Sequence, residues 1–284
     1  MSLSHQKILD IEITASPREK ILEHIKKYLD SSISRAPGST KKSVKPLVVL
    51  TPNPEQIVFA TRYPEFAGFL NWADVTLPDG VGIVWASRFL AAKKKKTEMP
   101  VIAGRIAGVD FVTDLAALAA ARGVRIGLIG GFDGLAVNAL ECLRASNPRL
   151  TGWAEDGPEL DVDGIAIAEQ PAGGYWVTLA QKILHDRTAI LFVGMGVPKQ
   201  ELVIRKIAAA CVDQGISSPL ILMAVGGTFA MITGRLKRAP LLIRSIGFEW
   251  FWRLLQEPWR LKRQFSLITF IRLVLLARLR GTKE

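Results

Sequence analysis

Five short apolar runs along this chain each end in a polar turn carrying glycine or proline, and helical patterns follow several of them. The sharpest spans residues 189–201, Ala-Ile-Leu-Phe-Val-Gly-Met-Gly-Val-Pro-Lys-Gln-Glu, after which Leu202 to Cys211 is spaced as a helix. Leu47 to Leu50 leads into Thr51-Pro52-Asn53-Pro54-Glu55-Gln56. Ala73 to Leu77 leads into Pro78-Asp79-Gly80-Val81-Gly82, with Ile83 to Leu90 helical in pattern. Val124 to Ile129 meets Gly130-Gly131-Phe132-Asp133-Gly134 before a helical stretch from Leu135 to Leu143, and Leu220 to Val225 meets Gly226-Gly227-Thr228. Such runs are too short to cross a bilayer and fit buried strands. Their alternation with helices predicts an α/β chain, a Rossmann-like mainly parallel sheet with helices on both faces. Ligands of such sheets sit beyond the carboxyl ends of the strands, where glycine admits close backbone approach and helix starts favour anions. Thr51, Asn53, Asp79, Gln200 and Glu201 are therefore expected to line one pocket.

The start and the connections are less informative. Ser16-Pro17-Arg18-Glu19 has the pattern of a capped helix start, followed by an apolar stripe of Ile21, Leu22, Ile25 and Leu29. Asp30 to Pro46 and the four lysines Lys93 to Lys96 are expected to be surface loops, and 155–177 an acidic excursion or a lip over the pocket. Cys142 and Cys211 fall in helical apolar patterns and are expected to be buried. Two isolated cysteines give no disulfide framework and suit a reducing compartment. The three histidines have no metal-ligand spacing, so neither a metal nor a cofactor is expected. The polar first residues carry no signal-peptide pattern.

Charge marks off the end of the chain. From Arg235 onward twelve basic residues face three acidic ones, which accounts for +9 of the formal +11. Phe248, Trp250, Phe251, Trp252, Trp259, Phe265 and Phe270 are interleaved with that charge. The expected organisation is an α/β core over 1–240 and a basic, aromatic-rich helical appendage over 241–284 that associates with an anionic membrane surface. Arg272 interrupts the apolar run from Phe265 to Leu279, which argues against a spanning helix. Arg272, Arg278 and Arg280 point in different directions around a helix, so no clean amphipathic pattern emerges. Nucleic acid is disfavoured, because no recognition motif is visible and the basic segment is unusually apolar.

Several blocks, taken in order, carry a resemblance. They are Thr51-Pro-Asn-Pro-Glu55, Asp79-Gly-Val-Gly82 with Trp85 and Arg88, Arg105-Ile-Ala-Gly-Val-Asp110 and Gly194-Met-Gly-Val-Pro-Lys-Gln-Glu201. Gly226-Gly-Thr-Phe229, Gly234-Arg-Leu-Lys-Arg-Ala-Pro240, Glu249-Trp-Phe-Trp-Arg253 and Pro258-Trp-Arg260 with Arg263 complete the series. From about Ile8 to Arg263 the chain resembles the WecG/TagA/CpsF family of bacterial glycosyltransferases, glycosyltransferase family twenty-six. The resemblance implies an inverting, metal-independent transferase acting peripherally at the cytoplasmic face of the cell membrane, in cell-surface polysaccharide or teichoic acid synthesis. It would move a sugar (of the N-acetylmannosamine type, its uronic acid, or a hexose) from a UDP-sugar to a polyprenyl-pyrophosphate-linked saccharide. A homo-oligomer is compatible with this reading. The alternatives are a soluble nucleotide-dependent enzyme such as a dehydrogenase, disfavoured by the lack of a G-x-G-x-x-G followed by an acid, and a non-catalytic anion- or lipid-binding module.

By resemblance, Asp79 is the candidate base and Thr51 an active-site hydroxyl; Asn53 offers amide hydrogen bonds. Arg105, Lys199, Gln200, Glu201, Gly226 and Gly227 form the substrate-binding set, with Arg105 and Lys199 suited to phosphate. Arg253, Arg260 and Arg263 match arginines of a family appendage and are expected to grip a diphosphate. Their spacing puts them on one face if the helix is continuous, whereas Pro258 is placed to break it. Many family members have an aspartate after the phenylalanine of the Gly-Gly-x-Phe block; here Ala230 follows Phe229.

Overall fold

The computed structural model describes residues 2–30, 44–92, 100–159, 174–245, 247–258 and 261–280. Lys93 to Lys96, most of the 30–46 loop and the middle of 155–177 lie outside the described residues. The elements run β1 (His5–Ile8), β2 (Ile11–Thr14), α1 (Arg18–Asp30), β3 (Leu47–Leu50), α2 (Pro54–Arg62), α3 (Pro64–Trp72), β4 (Val75–Thr76) and α4 (Val81–Ala91). They continue with α5 (Gly108–Arg122), β5 (Arg125–Gly130), α6 (Leu135–Ser146), β6 (Gly152–Glu155), α7 (Tyr175–His185), β7 (Thr188–Gly194), α8 (Lys199–Asp213), β8 (Ile221–Ala224) and α9 (Thr228–Ile232). Three helices close the chain: α10 (Leu241–Ser245), α11 (Glu249–Gln256) and α12 (Leu261–Arg280). The fold is the expected Rossmann-like α/β type, a mostly parallel six-stranded sheet in the order β4-β3-β8-β7-β5-β6 flanked by helices. Two compact units divide the chain: Met1–Ile21, Leu50–Gly108 and Leu236–Glu284 make the first, Leu22–Val49 and Val109–Arg235 the second.

The second unit holds the parallel sheet proper. One row of partners crosses it from Val48 to Leu222, Leu191, Gly127 and Trp153. Gly127 is glycine for want of room, since a Cβ there would come within 2.8 Å of both Leu191 and Trp153. β7 is buried at all seven positions, as its unbroken apolar run demands. Of the expected α1 stripe, Ile21, Ile25 and Leu29 lie in the core, whereas Leu22 is half-buried at its edge. Cys211 is buried on α8, and burial pushes its thiol pKa up to about 12. Cys142 corrects the expectation: Ala136, Ala139, Leu140 and Leu143 take the inner stripe of α6, and Cys142 faces solvent.

The first unit contains a hairpin that the sequence did not announce. β1 and β2 pair antiparallel around Leu9 and Asp10, both in the left-handed region with φ of 47° and 68°. Leucine is an uncommon residue at such a turn, which hides the hairpin from pattern reading. Ser16 does not stand alone at the start of α1; its hydroxyl accepts the Ser4 N–H at 2.9 Å. The hairpin anchors a buried polar network. Gln6 donates to the Ser87 carbonyl and accepts from the Ser87 hydroxyl, and that hydroxyl accepts the Ile102 N–H at 2.9 Å. Arg88 on the same helix donates to the Ala103 carbonyl at 2.9 Å, and Ile106 N–H to the Pro78 carbonyl at 3.0 Å. A strap over residues 100–107 is thereby fixed at three points.

The end of the chain adds three helices to the first unit. Lys237 pins α11 through its backbone, its N–H donating to Gln256 Oε1 and its carbonyl accepting from Gln256 Nε2 and Trp252 Nε1. α12 packs on α2 and α4 through Phe270 and Val274, both fully buried. Gly82 of α4 faces Leu267 and Phe270 of α12 across a space that just fits them. Gln6 and Ser87 are both buried, so removing one leaves its partner unsatisfied. Ser87→Ala is expected to cost about 1–3 kcal/mol of unfolding free energy, read from denaturant titration.

Candidate active site

Three segments of the first unit meet at Asp79. The Leu77 N–H donates to the Leu50 carbonyl at 2.8 Å, the Asp79 N–H to the Pro52 carbonyl at 3.2 Å, and the strap reaches Pro78 through Ile106. Thr51 follows β3 directly, and a Cβ added at Gly108 would touch its methyl at 3.4 Å. Thr51, Asp79 and Arg105 are therefore carried by adjoining stretches of backbone. Gly80 completes the turn with φ of 115°, and a Cβ there would press on Pro54 at 3.2 Å. Glycine at this position lets the chain reverse beside Asp79 and enter α4.

Arg105 joins two carboxylates. Its Nε donates to Asp79 Oδ1 at 3.1 Å and its Nη1 to Glu249 Oε2 at 2.5 Å. Glu249 opens α11, so the tail supplies a side chain to this cluster, and Arg238 Nε lies 3.9 Å from Glu249. Burial works against the charge on Arg105, yet Asp79 and Glu249 hold it protonated with a pKa above the usual arginine value. The Asp79 pKa is raised from the ordinary carboxylate value, first by burial and further by the Glu249 charge. Arg105 opposes the rise through its charge and hydrogen bond, and the Arg253 charge also opposes it. The arrangement keeps a carboxylate crowded, partly desolvated and within reach of cations.

The other predicted residues fall into separate places. Asn53 is the N-cap of α2, its side chain accepting the Gln56 N–H at 3.0 Å while Gln56 Oε1 accepts the Asn53 N–H at 3.0 Å. Arg253 lies on α11 and donates to Glu257 at 2.9 Å. The helix that would carry all three arginines is not continuous: α11 ends at Gln256 and α12 begins at Leu261, with Pro258 between them. Arg263 falls in the first turn of α12, and Arg260 lies outside the described residues.

In the second unit, Lys199 opens α8 and is exposed, whereas Gln200 and Glu201 are 1% and 2% exposed. Gln200 donates to Glu201 Oε1 at 2.9 Å and accepts the Gly226 N–H at 2.9 Å, so these residues shape the loop before α9. Gly227 is the N-cap of α9, and Ala230 lies within that helix. Gly130 and Gly194 are paired at the carboxyl ends of β5 and β7. A Cβ on Gly130 would strike the Gly194 carbonyl at 2.4 Å, and one on Gly194 would strike Phe229 at 2.7 Å. Both positions are glycine because the neighbouring backbone and the Phe229 ring leave no room for a side chain.

Gln200 and Glu201 thus belong to the second unit and form their own cluster, while Asp79, Arg105 and Thr51 belong to the first. Among the described residues no three His, Cys, Asp or Glu side chains group as a metal site. A family model for the glycosyl transferase WecG/TagA/CpsF family matches residues 6–284. The chain belongs to this family. The WecG/TagA/CpsF assignment makes the protein a glycosyltransferase of cell-surface polysaccharide synthesis, with a sugar donor and an acceptor as substrates. It displaces the dehydrogenase reading.

Sequence reasoning missed Glu249 and Arg238 as partners of the WecG/TagA/CpsF site. Glu249 heads a block quoted for the resemblance, and its being one of three acids in a strongly basic segment was the available signal. The raised pKa of Asp79 has a testable sign. A carboxyl with a raised folded-state pKa contributes stability at low pH and loses it as pH rises from the ordinary carboxylate value through the folded value. Asp79→Asn is therefore expected to raise Tm relative to the parent at pH 8, with the gain shrinking toward zero as pH falls below about 4, measured by thermal unfolding across pH.

Proposed function

We propose that the protein is an inverting glycosyltransferase that transfers a sugar from a UDP-sugar to a polyprenyl-diphosphate-linked saccharide, as a peripheral protein of the cytoplasmic membrane face. In this reaction the acceptor hydroxyl oxygen forms a bond to the anomeric carbon of the donor and its proton passes to Asp79. The bond from that carbon to UDP breaks, and UDP leaves with the electron pair. The observation that carries the proposal is the Asp79–Arg105–Glu249 cluster, which sets a crowded carboxylate beside guanidinium groups. General-base assistance of this kind accounts for about 10²–10⁴ in rate. In the proposal, arginine rather than a divalent metal supplies the positive charge that meets the leaving diphosphate.

Membrane association is supported by the outward side of α12. Leu261, Phe265, Ile268, Leu275, Leu276 and Leu279 recur at helical spacing and are exposed, with Arg272 among them. The opposite side of the helix packs on the protein through Phe270 and Val274. Apolar side chains on both sides explain why no amphipathic pattern was visible. No helix among the described residues is long and apolar enough to cross a membrane. An exposed apolar stripe bearing arginine suits the headgroup boundary of an anionic bilayer, where the charge reaches outward along its aliphatic stem.

A panel of UDP-sugars assayed against short lipid-diphosphate saccharides tests the reaction. Asp79→Asn is expected to lower kcat by at least about 10²-fold with little change in the KM for the donor; transfer by this variant at the parent rate would overturn the assignment. EDTA is expected to leave turnover unchanged. Glu249→Gln removes a negative charge facing Asp79, so the acidic limb of the pH–rate profile should move to lower pH. Ile268→Asp is expected to reduce sedimentation with phosphatidylglycerol vesicles without lowering Tm, because Ile268 is exposed.

A further inference from the structure

The same short hairpin grips the chain three residues upstream of Asp79 and three residues upstream of Arg105. Asp79 follows Thr76 on β4, and Arg105 follows Ile102 on the strap. At the first grip the Thr14 N–H donates to the Thr76 hydroxyl and the Thr76 N–H to the Thr14 hydroxyl, both at 3.0 Å. The Thr76 hydroxyl passes its own proton to the Glu12 carbonyl at 2.6 Å. At the second grip the Ile102 N–H donates to the Ser87 hydroxyl, whose proton goes to Gln6 Oε1, and Gln6 Nε2 donates to the Ser87 carbonyl at 3.1 Å. Gln6 is paired with Ile13 across the hairpin, so Gln6 and Thr14 project from opposite faces of the ribbon. One face holds the route to Arg105 and the other the route to Asp79.

Gln6, Thr14, Thr76 and Ser87 are each at most 3% exposed. A slip of the chain at either grip would leave a donor or acceptor unsatisfied away from water, whereas apolar side chains would fill the space without fixing the register. Three residues of extended chain span about 10 Å at most. The bonds from Leu77 to Leu50, Asp79 to Pro52 and Ile106 to Pro78 remove much of that slack. We infer that Gln6 and Thr14 are positioning residues, which set the placement of Asp79 against Arg105 for proton transfer. The inference rests on Asp79 as the base proposed above. All four side chains of the two grips are uncharged, so they act on Asp79 through geometry alone.

The charged groups that face Asp79 are Arg105 of the strap and Glu249 and Arg253 of α11. Arg105 holds the Asp79 pKa down, so a carboxyl that loses part of this contact titrates at higher pH. Carbon-13 NMR of the full-length protein, labelled at the aspartate carboxyls and free of substrate, follows that titration, and Asp79→Asn identifies the signal. Thr14→Val and Gln6→Met remove hydrogen-bonding groups at similar shape. Each is expected to move the Asp79 midpoint upward and to lower kcat by about tenfold or more. Thr14→Ser keeps the hydroxyl and should titrate as the parent does. Val274→Ala opens a cavity under α12 and should lower Tm without moving the midpoint. If Thr14→Val does not fold, Gln6→Met and Ser87→Ala carry the same expectation. An unmoved midpoint in the folded hairpin variants overturns the inference. So does an equal shift in Val274→Ala, which would make the shift a general result of lost stability. A moved midpoint together with parental turnover by Asp79→Asn would sink Asp79 as the base and leave the placement of the pair standing.

Discussion

One guanidinium between two carboxylates sets the character of this site. Arg105 holds Asp79 with one nitrogen and Glu249 with another, and the two acids come from the middle and the last segment of the first unit. Each carboxylate alone would be costly to bring out of water, and their mutual repulsion would add to that cost. The shared cation offsets both. Asp79 remains under strain even so, since burial outweighs the help it receives and its proton affinity stays high. High proton affinity is what a base requires when it must accept a proton from a sugar hydroxyl. A residue that served stability alone would be expected to show the opposite shift.

The tail of the chain does two different kinds of work. α11 faces inward, pinned by Lys237 and contributing Glu249 to the cluster, while Arg253 acts on Asp79 through its field. α12 has two apolar sides, one against α2 and α4 and one exposed. In the proposed function a helix of this kind would rest its exposed side on a lipid surface without entering the bilayer as a span. The appendage is therefore part of the site, and its charge is not spread uniformly over a single binding face.

Much of the fold was legible because buried parallel strands leave an unmistakable pattern. β3, β5, β7 and β8 were all visible as apolar runs ending in glycine or proline turns, and α4, α6 and α8 followed where the spacing put them. The hairpin was not visible, because its turn uses Leu9 and Asp10 with positive φ in place of glycine or asparagine. Cys142 was misplaced because a helix with an alanine-rich inner stripe looks apolar over a wider arc than it buries. Within the site, Asp79 and Thr51 stood out by their position after strands, and Arg105 through the family resemblance alone. Glu249 did not, since its partner is 144 residues away and an ion pair over that distance leaves no local trace. Pro258 carried the information that α11 and α12 are separate helices, so the arginines at 253, 260 and 263 are not borne by one continuous helix. Asn53 also serves the fold, because its side-chain oxygen accepts the Gln56 N–H that starts α2.

The first fourteen residues hold a consequence for anyone shortening this protein. Gln6 lies far from Arg105 in sequence, yet through Ser87 it fixes Ile102, three positions before Arg105 on the same strap. Trimming the hairpin would keep every candidate site residue and still remove a support beneath Arg105. Inactivity in such a truncated form would report lost scaffolding, and it would say nothing about which side chains perform the transfer.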